Sequence, residues 1–163
     1  MTDLKGKTAL VTGSTSGIGR ATALALAARG AHVLIVGRSE ERAAGVIAEI
    51  ERDGGSATSH LTTLDRVASA RELAAWATDA GGGHVDILVN NAGVSRLGPA
   101  ELATEEAFDE TFAVNVKVPF FLVAVLAPAM AERGAGAIIS SVAQASGSRG
   151  WPCTARAGPP SSC

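Results

Sequence analysis

The chain has 163 residues, of which 47% are hydrophobic, and its formal net charge at pH 7 is −2. This length predicts a single domain, and the near-neutral charge argues against a nucleic-acid partner and a polybasic membrane-binding surface. We expect no apolar run long enough to cross a bilayer and see no signal-peptide segment, which predicts a cytoplasmic protein. Cys153 and Cys163 match no zinc-binding spacing, so we expect neither a metal site nor a designed disulfide.

Apolar runs typical of buried strands alternate along the chain with patterns typical of helices. On this basis we predict strands over residues 7–11, 32–36 and 85–89, and a fifth strand that begins at Ala137; residues 57–61 are less apolar and give a weaker strand signal. We predict helices over residues 17–29, 67–80, 104–116 and 118–133, and another between Ser39 and Gly54. Pro128 is expected to kink the last helix or to end it late. This alternation predicts βαβ units and therefore a parallel sheet.

A glycine-rich segment joins the first predicted strand to the first predicted helix. It reads Thr12-Gly13-Ser14-Thr15-Ser16-Gly17-Ile18-Gly19. Gly13 allows a sharp turn, Gly17 lets the backbone approach a pyrophosphate, and Gly19 lets the helix pack closely. Because the N–H groups at a helix N-terminus favour an anion, every residue from Gly13 to Gly19 is a candidate cofactor contact. The spacing G-x-x-x-G-x-G differs from the common G-x-G-x-x-G fingerprint, and a tight turn without a ligand is the alternative.

A second motif, Asn90-Asn91-Ala92-Gly93, follows the fourth predicted strand. Amide side chains at a strand end can bridge backbone groups, and the small residues Ala92 and Gly93 leave room for a cofactor. A plain turn is the alternative, but ligands of parallel sheets bind at the carboxyl ends of the strands. Asn90, Ala92 and Gly93 are therefore further candidate cofactor contacts.

The two motifs together resemble the T-G-x-x-x-G-[IL]-G and N-N-A-G motifs of the short-chain dehydrogenase/reductase family, and the resemblance runs from about Leu4 to Val142. It implies an α/β, Rossmann-like, doubly wound parallel sheet of strand order 3-2-1-4-5 that is incomplete at its C-terminal edge. It also implies hydride transfer between a nicotinamide dinucleotide and an alcohol or ketone, in a family whose members are typically homo-oligomers.

The residues after the second predicted strand bear on the choice of nucleotide. An acidic residue at this place binds the ribose 2′-hydroxyl of NAD, whereas an arginine accommodates the 2′-phosphate of NADP. Gly37 stands where NAD-preferring family members usually carry Asp, and Arg38 follows it, so we predict NADP(H) over NAD(H). A solvated surface arginine is the alternative. The resemblance also places Leu64 near the adenine, with Asp65 displaced from the acidic position that the family has there.

Family members commonly use an Asn, a Ser, a Tyr and a Lys in catalysis. The resemblance places the Asn at Asn115, where it would organise a water, and the Ser at Ser141, where it would bind the substrate carbonyl oxygen. The Tyr and Lys would fall at Thr154 and Gly158, but the chain contains no tyrosine, and no lysine follows Lys117. The family also has two more residues between an apolar pair such as 138–139 and its serine pair, which puts the register of Ser141 in question.

The C-terminal stretch does not continue the pattern. We predict that residues 1–150 form the nucleotide-binding domain, whereas residues 151–163 have no periodicity and are expected to be a disordered tail. One codon choice for residues 158–163, read in another frame, encodes Ala-Ser-Lys-Phe-Val, which resembles the family's continuation and suggests a frameshift. Two hypotheses stay open: an NADP(H)-dependent oxidoreductase, or a non-catalytic, aggregation-prone nucleotide-binding remnant.

Overall fold

The structure is a computed structural model that describes residues 3–95 and 100–141. The strands are β1 Thr8–Thr12, β2 His32–Gly37, β3 Ser56–Leu61, β4 Ile87–Asn90 and β5 Ala137–Ser140. The α-helices are α1 Gly17–Ala27, α2 Glu40–Arg52, α3 Val67–Ala80, α4 Glu105–Phe112 and α5 Val118–Glu132. A short 3₁₀ helix spans Ala100–Leu102, and a π-helical turn spans Ala113–Lys117.

The five strands form one parallel sheet in the order β3-β2-β1-β4-β5, which confirms the predicted topology. The central strands carry apolar residues on both faces, and all five residues of β1 are buried. This burial explains why they appear in the sequence as continuous apolar runs rather than alternating ones. On β5, the pairing with β4 places Ile139 opposite Val89 and Ser140 opposite Asn90.

Helices cover both faces of the sheet. On one face, α1 and α2 bury small and branched side chains against β1 and β2: Ala23, Ala27, Ala43, Val46 and Ile50. On the other face, α3 and α5 pack together over the sheet through Ala70, Leu73, Ala74, Ala77, Val118, Leu122, Leu126 and Met130. The serine at position 39 caps α2 as predicted, because its hydroxyl accepts a hydrogen bond from the Arg42 N–H at 3.3 Å.

The helical region after β4 differs from the prediction in three respects. Residues Glu105–Glu132 form one continuous 28-residue helical run rather than two helices, and the π-helical turn lies in its middle. The helix does not end at Pro128, because packed residues Leu126 and Met130 hold it on both sides of the proline. Within the described part, this run is also long and apolar enough to meet a length-and-composition test for a membrane span, which corrects the expectation that no segment would. One stripe of this run packs against the protein core beside α3, and 22% of its apolar window is buried.

At the amino edge of the sheet, Asp86 joins the starts of β1 and β4. Its carboxylate accepts hydrogen bonds from the Thr8 N–H at 2.9 Å and the Lys7 ammonium at 3.2 Å, and His84 Nε2 lies 3.4 Å away. Burial raises the pKa of this carboxyl, but the hydrogen bond from Thr8 and the bond and charge of Lys7, with a smaller effect of His84, outweigh it. The pKa of Asp86 is therefore held below its ordinary value.

The far edge of the sheet and the outer side of the long helix carry exposed apolar side chains. All four residues of β5 are exposed, including Ile138 and Ile139. On the helix, Phe108, Phe112, Val116 and Phe120 recur every four residues and are also exposed, and the first two rings stack with centroids 4.2 Å apart. The predicted tail and the proposed frame change, at residues 151–163, lie outside the described residues.

Candidate functional site

Four loops meet at the carboxyl edge of the sheet. The glycine-rich loop follows β1, Arg38 follows β2, Leu64 follows β3, and the Asn90–Gly93 segment begins at the end of β4. Because β1 and β4 are neighbours, the glycine-rich loop and the Asn90–Gly93 segment lie side by side. This is the place where the strand order reverses, and open α/β sheets bind their ligands there.

The glycine-rich loop has the geometry that the sequence predicts. Gly13 and Gly17 adopt positive φ angles of 65° and 52°, which favour glycine. A Cβ added at Gly17 would meet nothing within 4 Å, so the space above the loop is open, whereas one at Gly19 would lie 2.4 Å from the Gly13 carbonyl oxygen. The side chain of Ser16, the N-cap of α1, makes no capping hydrogen bond, and Ile18 is 65% exposed beside it. The first N–H groups of α1 are thus left for an anion.

The side chain of Ser14, a predicted cofactor contact, is hydrogen-bonded within the protein. It is fully buried, and its hydroxyl accepts a hydrogen bond from the Val36 N–H at 2.8 Å. Its own N–H donates to the Val36 carbonyl oxygen at 3.0 Å. Ser14 therefore fastens the glycine-rich loop to the end of β2, and its hydroxyl is committed to the protein.

The residues predicted to lie near the adenosine end of the nucleotide have contrasting environments. Arg38 is exposed, and its guanidinium forms no hydrogen bond or ion pair with residues 3–95 or 100–141. Leu64, predicted to lie near the adenine, is 8% exposed and belongs to the core under α3 and α5. Asp65 is exposed and pairs with Arg66 at 3.1 Å. The only polar group among these that is free to receive a ligand is therefore Arg38.

Thr12 and Asn91 connect the two motifs by hydrogen bonds. The sequence did not indicate them as site residues, although both lie inside the motifs. The Thr12 hydroxyl accepts hydrogen bonds from the backbone N–H groups of Asn91 and Ala92, both at 3.0 Å, and donates to the Val89 carbonyl oxygen at 3.3 Å. The Asn91 amide donates to the carbonyl oxygens of Thr12 and Gly13 at 3.0 and 3.2 Å. These bonds fix the two loops relative to each other.

Asn115 lies in the π-helical turn between α4 and α5. Its amide both accepts a hydrogen bond from the Val94 N–H at 2.9 Å and donates one to the Val94 carbonyl oxygen at 2.8 Å. A Cβ added at Gly93 would lie 3.3 Å from the Asn115 Oδ1, so the glycine of the second motif makes room for this contact. The π-helical turn widens the helix locally, and such turns are frequent at functional sites.

Ser141 directly follows β5 and lies beside the second motif. Its N–H donates to the Asn90 carbonyl oxygen at 2.9 Å, which extends the strand pairing by one residue. Its hydroxyl donates to the Asn91 Oδ1 at 3.2 Å. The structure therefore brings together the glycine-rich loop, Asn91 and Ser141 in one hydrogen-bonded chain.

Similarity to known proteins identifies the family of this chain. The family model of the short chain dehydrogenases matches residues 7–155. The chain belongs to the short chain dehydrogenase family. Among curated relatives, a D-threitol dehydrogenase of Mycolicibacterium smegmatis is 40% identical over 142 residues, which cover 87% of this chain and 54% of the relative. An L-xylulose reductase of Mesocricetus auratus is 40% identical over 144 residues, covering 88% and 55%.

Solved structures agree with this membership. A metagenomic short-chain oxidoreductase in complex with NADP superposes with a TM-score of 0.81 at 38% identity, covering 85% of this chain and 63% of that one. A 3-oxoacyl (acyl-carrier-protein) reductase from Agrobacterium tumefaciens with NADP bound gives a TM-score of 0.81 at 33% identity, covering 85% and 53%. The chain spans about half the length of the curated relatives it matches.

In this member of the short chain dehydrogenase family, one buried motif side chain lacks hydrogen-bond partners among the residues described. The Asn90 side chain is 5% exposed, and neither its Nδ2 nor its Oδ1 has a hydrogen-bond partner among the residues described. A buried amide without partners costs free energy, so it normally meets protein, water or ligand. Asn90 was predicted as a cofactor contact, and the open carboxyl edge of β4 is where such a partner would lie.

Proposed function

We propose that this chain binds NADP(H) at the carboxyl edge of its sheet, as the nucleotide-binding part of an oxidoreductase that acts on an alcohol or ketone. The observation that carries the nucleotide choice is that the guanidinium of Arg38, beside Gly37, is exposed and has no partner among residues 3–95 and 100–141. A guanidinium binds a phosphate through charge-assisted hydrogen bonds, and position 37 carries no carboxylate that would repel the 2′-phosphate. The NADP bound in structural relatives supports the same choice.

The residues present fit a dinucleotide at its phosphate and adenosine ends. The open N-terminus of α1, with Gly17 leaving space above it, would hold the pyrophosphate. Exposed Ile18 would pack against the cofactor, Arg38 would bind the 2′-phosphate, and backbone at Asn90, Ala92 and Gly93 would line its path. NADP(H), when bound, supplies the hydride.

A titration of NADPH and NADH tests the proposal. Because the chain exposes many apolar side chains, it is best studied fused to a stable carrier domain that contains no tryptophan. We expect NADPH to bind more tightly than NADH, and Arg38→Ala to remove most of the difference, about 1–3 kcal/mol for a charged contact. Arg42→Ala is the matched control, because Arg42 is an exposed arginine on the next helix. Equal affinities for the two nucleotides in the unmutated chain would contradict the assignment.

A second candidate function is nucleotide binding without catalysis by these 163 residues. It is favoured because the chain has no tyrosine, and its lysines, Lys5, Lys7 and Lys117, all precede Ser141. A positioned acid/base contributes about 10²–10⁴-fold to a rate. We therefore expect the chain to show no ketone reduction above background when NADPH oxidation is followed with a panel of ketones. Turnover that is lost in Ser141→Ala would show that the chain supplies its own catalytic acid.

A further inference from the structure

Thr15 occupies the space that a side chain at position 37 would need. A Cβ built on Gly37 would lie 2.4 Å from the Thr15 Cγ2, 2.9 Å from its Oγ1 and 3.2 Å from its Cβ. The first two distances are shorter than any ordinary contact with a Cβ. A χ1 rotation does not remove the conflict, because threonine carries two heavy atoms on Cβ and both now face Gly37. Any rotation that turns one γ atom away from Gly37 leaves the other γ atom facing Gly37 or brings it there.

The backbone on both sides of this contact is held in place. Ser14, which precedes Thr15, forms hydrogen bonds in both directions with the backbone of Val36, which precedes Gly37. On its other side, the Gly37 carbonyl oxygen accepts a hydrogen bond from the Thr62 N–H at 3.0 Å, and Gly37 pairs with Leu61 of β3. Neither segment is therefore free to move away from an added side chain.

Position 37 matters because it is the strand end at which a carboxylate selects NAD(H). We propose that Thr15 is a specificity-determining residue of this chain: its two γ atoms keep position 37 without a side chain and so exclude the carboxylate that would bind the ribose 2′-hydroxyl. The inference rests on the proposed function, since it concerns nucleotide choice at the same site. It assigns to Thr15 a steric role that does not depend on its hydroxyl as a hydrogen-bonding group.

The steric contact is tested by unfolding, without any nucleotide. In the carrier fusion, Gly37→Ala should lower the urea midpoint of the chain. Combining it with Thr15→Ala should restore most of the loss, because the remaining Thr15 Cβ, at 3.2 Å, needs to shift only by a few tenths of an ångström. Thr15→Val is the matched control, since it keeps both γ atoms and removes only the hydroxyl, and it should restore nothing. Equal losses from Gly37→Ala in the Thr, Val and Ala backgrounds would overturn the proposal.

The consequence for nucleotide choice is tested by titration with NADH and NADPH. Gly37→Asp alone should gain no affinity for NADH, whereas Gly37→Asp with Thr15→Ala should bind NADH about tenfold more tightly than Gly37→Asp alone, as a charged hydrogen bond allows. The double variant should also bind NADPH more weakly than the unmutated chain. Strong NADH binding by Gly37→Asp alone, with NADPH binding intact in the unmutated chain, would overturn the role of Thr15 only. Failure of the unmutated chain to bind either nucleotide would overturn the proposed function, and this inference with it.

Discussion

The Thr12 hydroxyl is the group on which the junction of the two motifs depends most. Thr12 is 2% exposed, and its hydroxyl takes part in three hydrogen bonds. It accepts two from the backbone N–H groups of Asn91 and Ala92 and donates one to the Val89 carbonyl oxygen. Thr12→Val keeps the shape of the side chain and removes the hydroxyl. Two backbone donors at the site would then lose their acceptor.

The expected cost follows from those three bonds. Leaving a buried donor unsatisfied costs about 1–3 kcal/mol, and both N–H groups here are only partly buried, so each belongs near the lower end. With the bond to Val89 also lost, Thr12→Val should destabilise the fold by about 2–4 kcal/mol. Small domains have a total stability of only about 5–15 kcal/mol, so this is a large fraction.

Urea unfolding of the carrier fusion, followed by the fluorescence of the chain's tryptophans, measures this cost. For a slope of about 2 kcal/mol per molar urea, the midpoint of Thr12→Val should fall by about 1–2 M. Thr12→Ser is the control, because it keeps the hydroxyl and loses one methyl group, at a cost of about 0.5–1.5 kcal/mol. If Thr12→Val is no less stable than Thr12→Ser, the hydrogen bonds at this junction do not carry the stability assigned to them.

Two further predictions concern the stability and association of the chain. Because the pKa of Asp86 is lowered in the folded state, its contribution to stability is present above the ordinary aspartate pKa near 4 and is lost as the pH falls through the lowered value. Stability should therefore fall more steeply in the unmutated chain than in Asp86→Asn as the pH drops below about 4, and parallel pH profiles would contradict this. Without its carrier, the chain should form heterogeneous oligomers in light scattering, because Ile139 on the exposed edge strand and Phe120 on the long helix face water. A monodisperse species with a cooperative melt above about 45 °C would show that this apolar surface is covered.

The sheet could be predicted from the sequence because its central strands carry a strong local signal. The run at residues 32–36 is apolar on both faces, which only a strand covered by helices on both sides requires. The fate of Pro128 could not be predicted this way. A proline removes one helical hydrogen bond, but whether the helix survives depends on what its neighbours pack against, and Leu126 and Met130 contact residues distant in sequence.

The candidate site could be predicted as a set of motifs but not as a set of contacts. Asn91 binds Thr12 across 79 positions of sequence, and no local pattern in either motif specifies which side chain bridges to the other. Ser14 shows the same limit, because its burial against Val36 depends on the pairing of β1 with β2. Its position in the motif indicated a ligand contact, whereas its hydroxyl is committed to the protein.

The family resemblance implies that the strand leading to Ser141 is two residues shorter here than in other members. Side chains alternate along a strand with a period of two, so a strand that is two residues shorter presents the same face. On that expectation, the serine stands about 7 Å further back along the strand direction than in other members, at a rise of about 3.3 Å per residue. In this chain that places Ser141 beside Asn91, whose Oδ1 accepts its hydroxyl proton at 3.2 Å. A hydroxyl that donates its proton to a neighbouring amide cannot donate the same proton to a substrate carbonyl. We therefore expect a structural role for Ser141, which is consistent with the proposal that these residues bind a nucleotide without reducing a ketone.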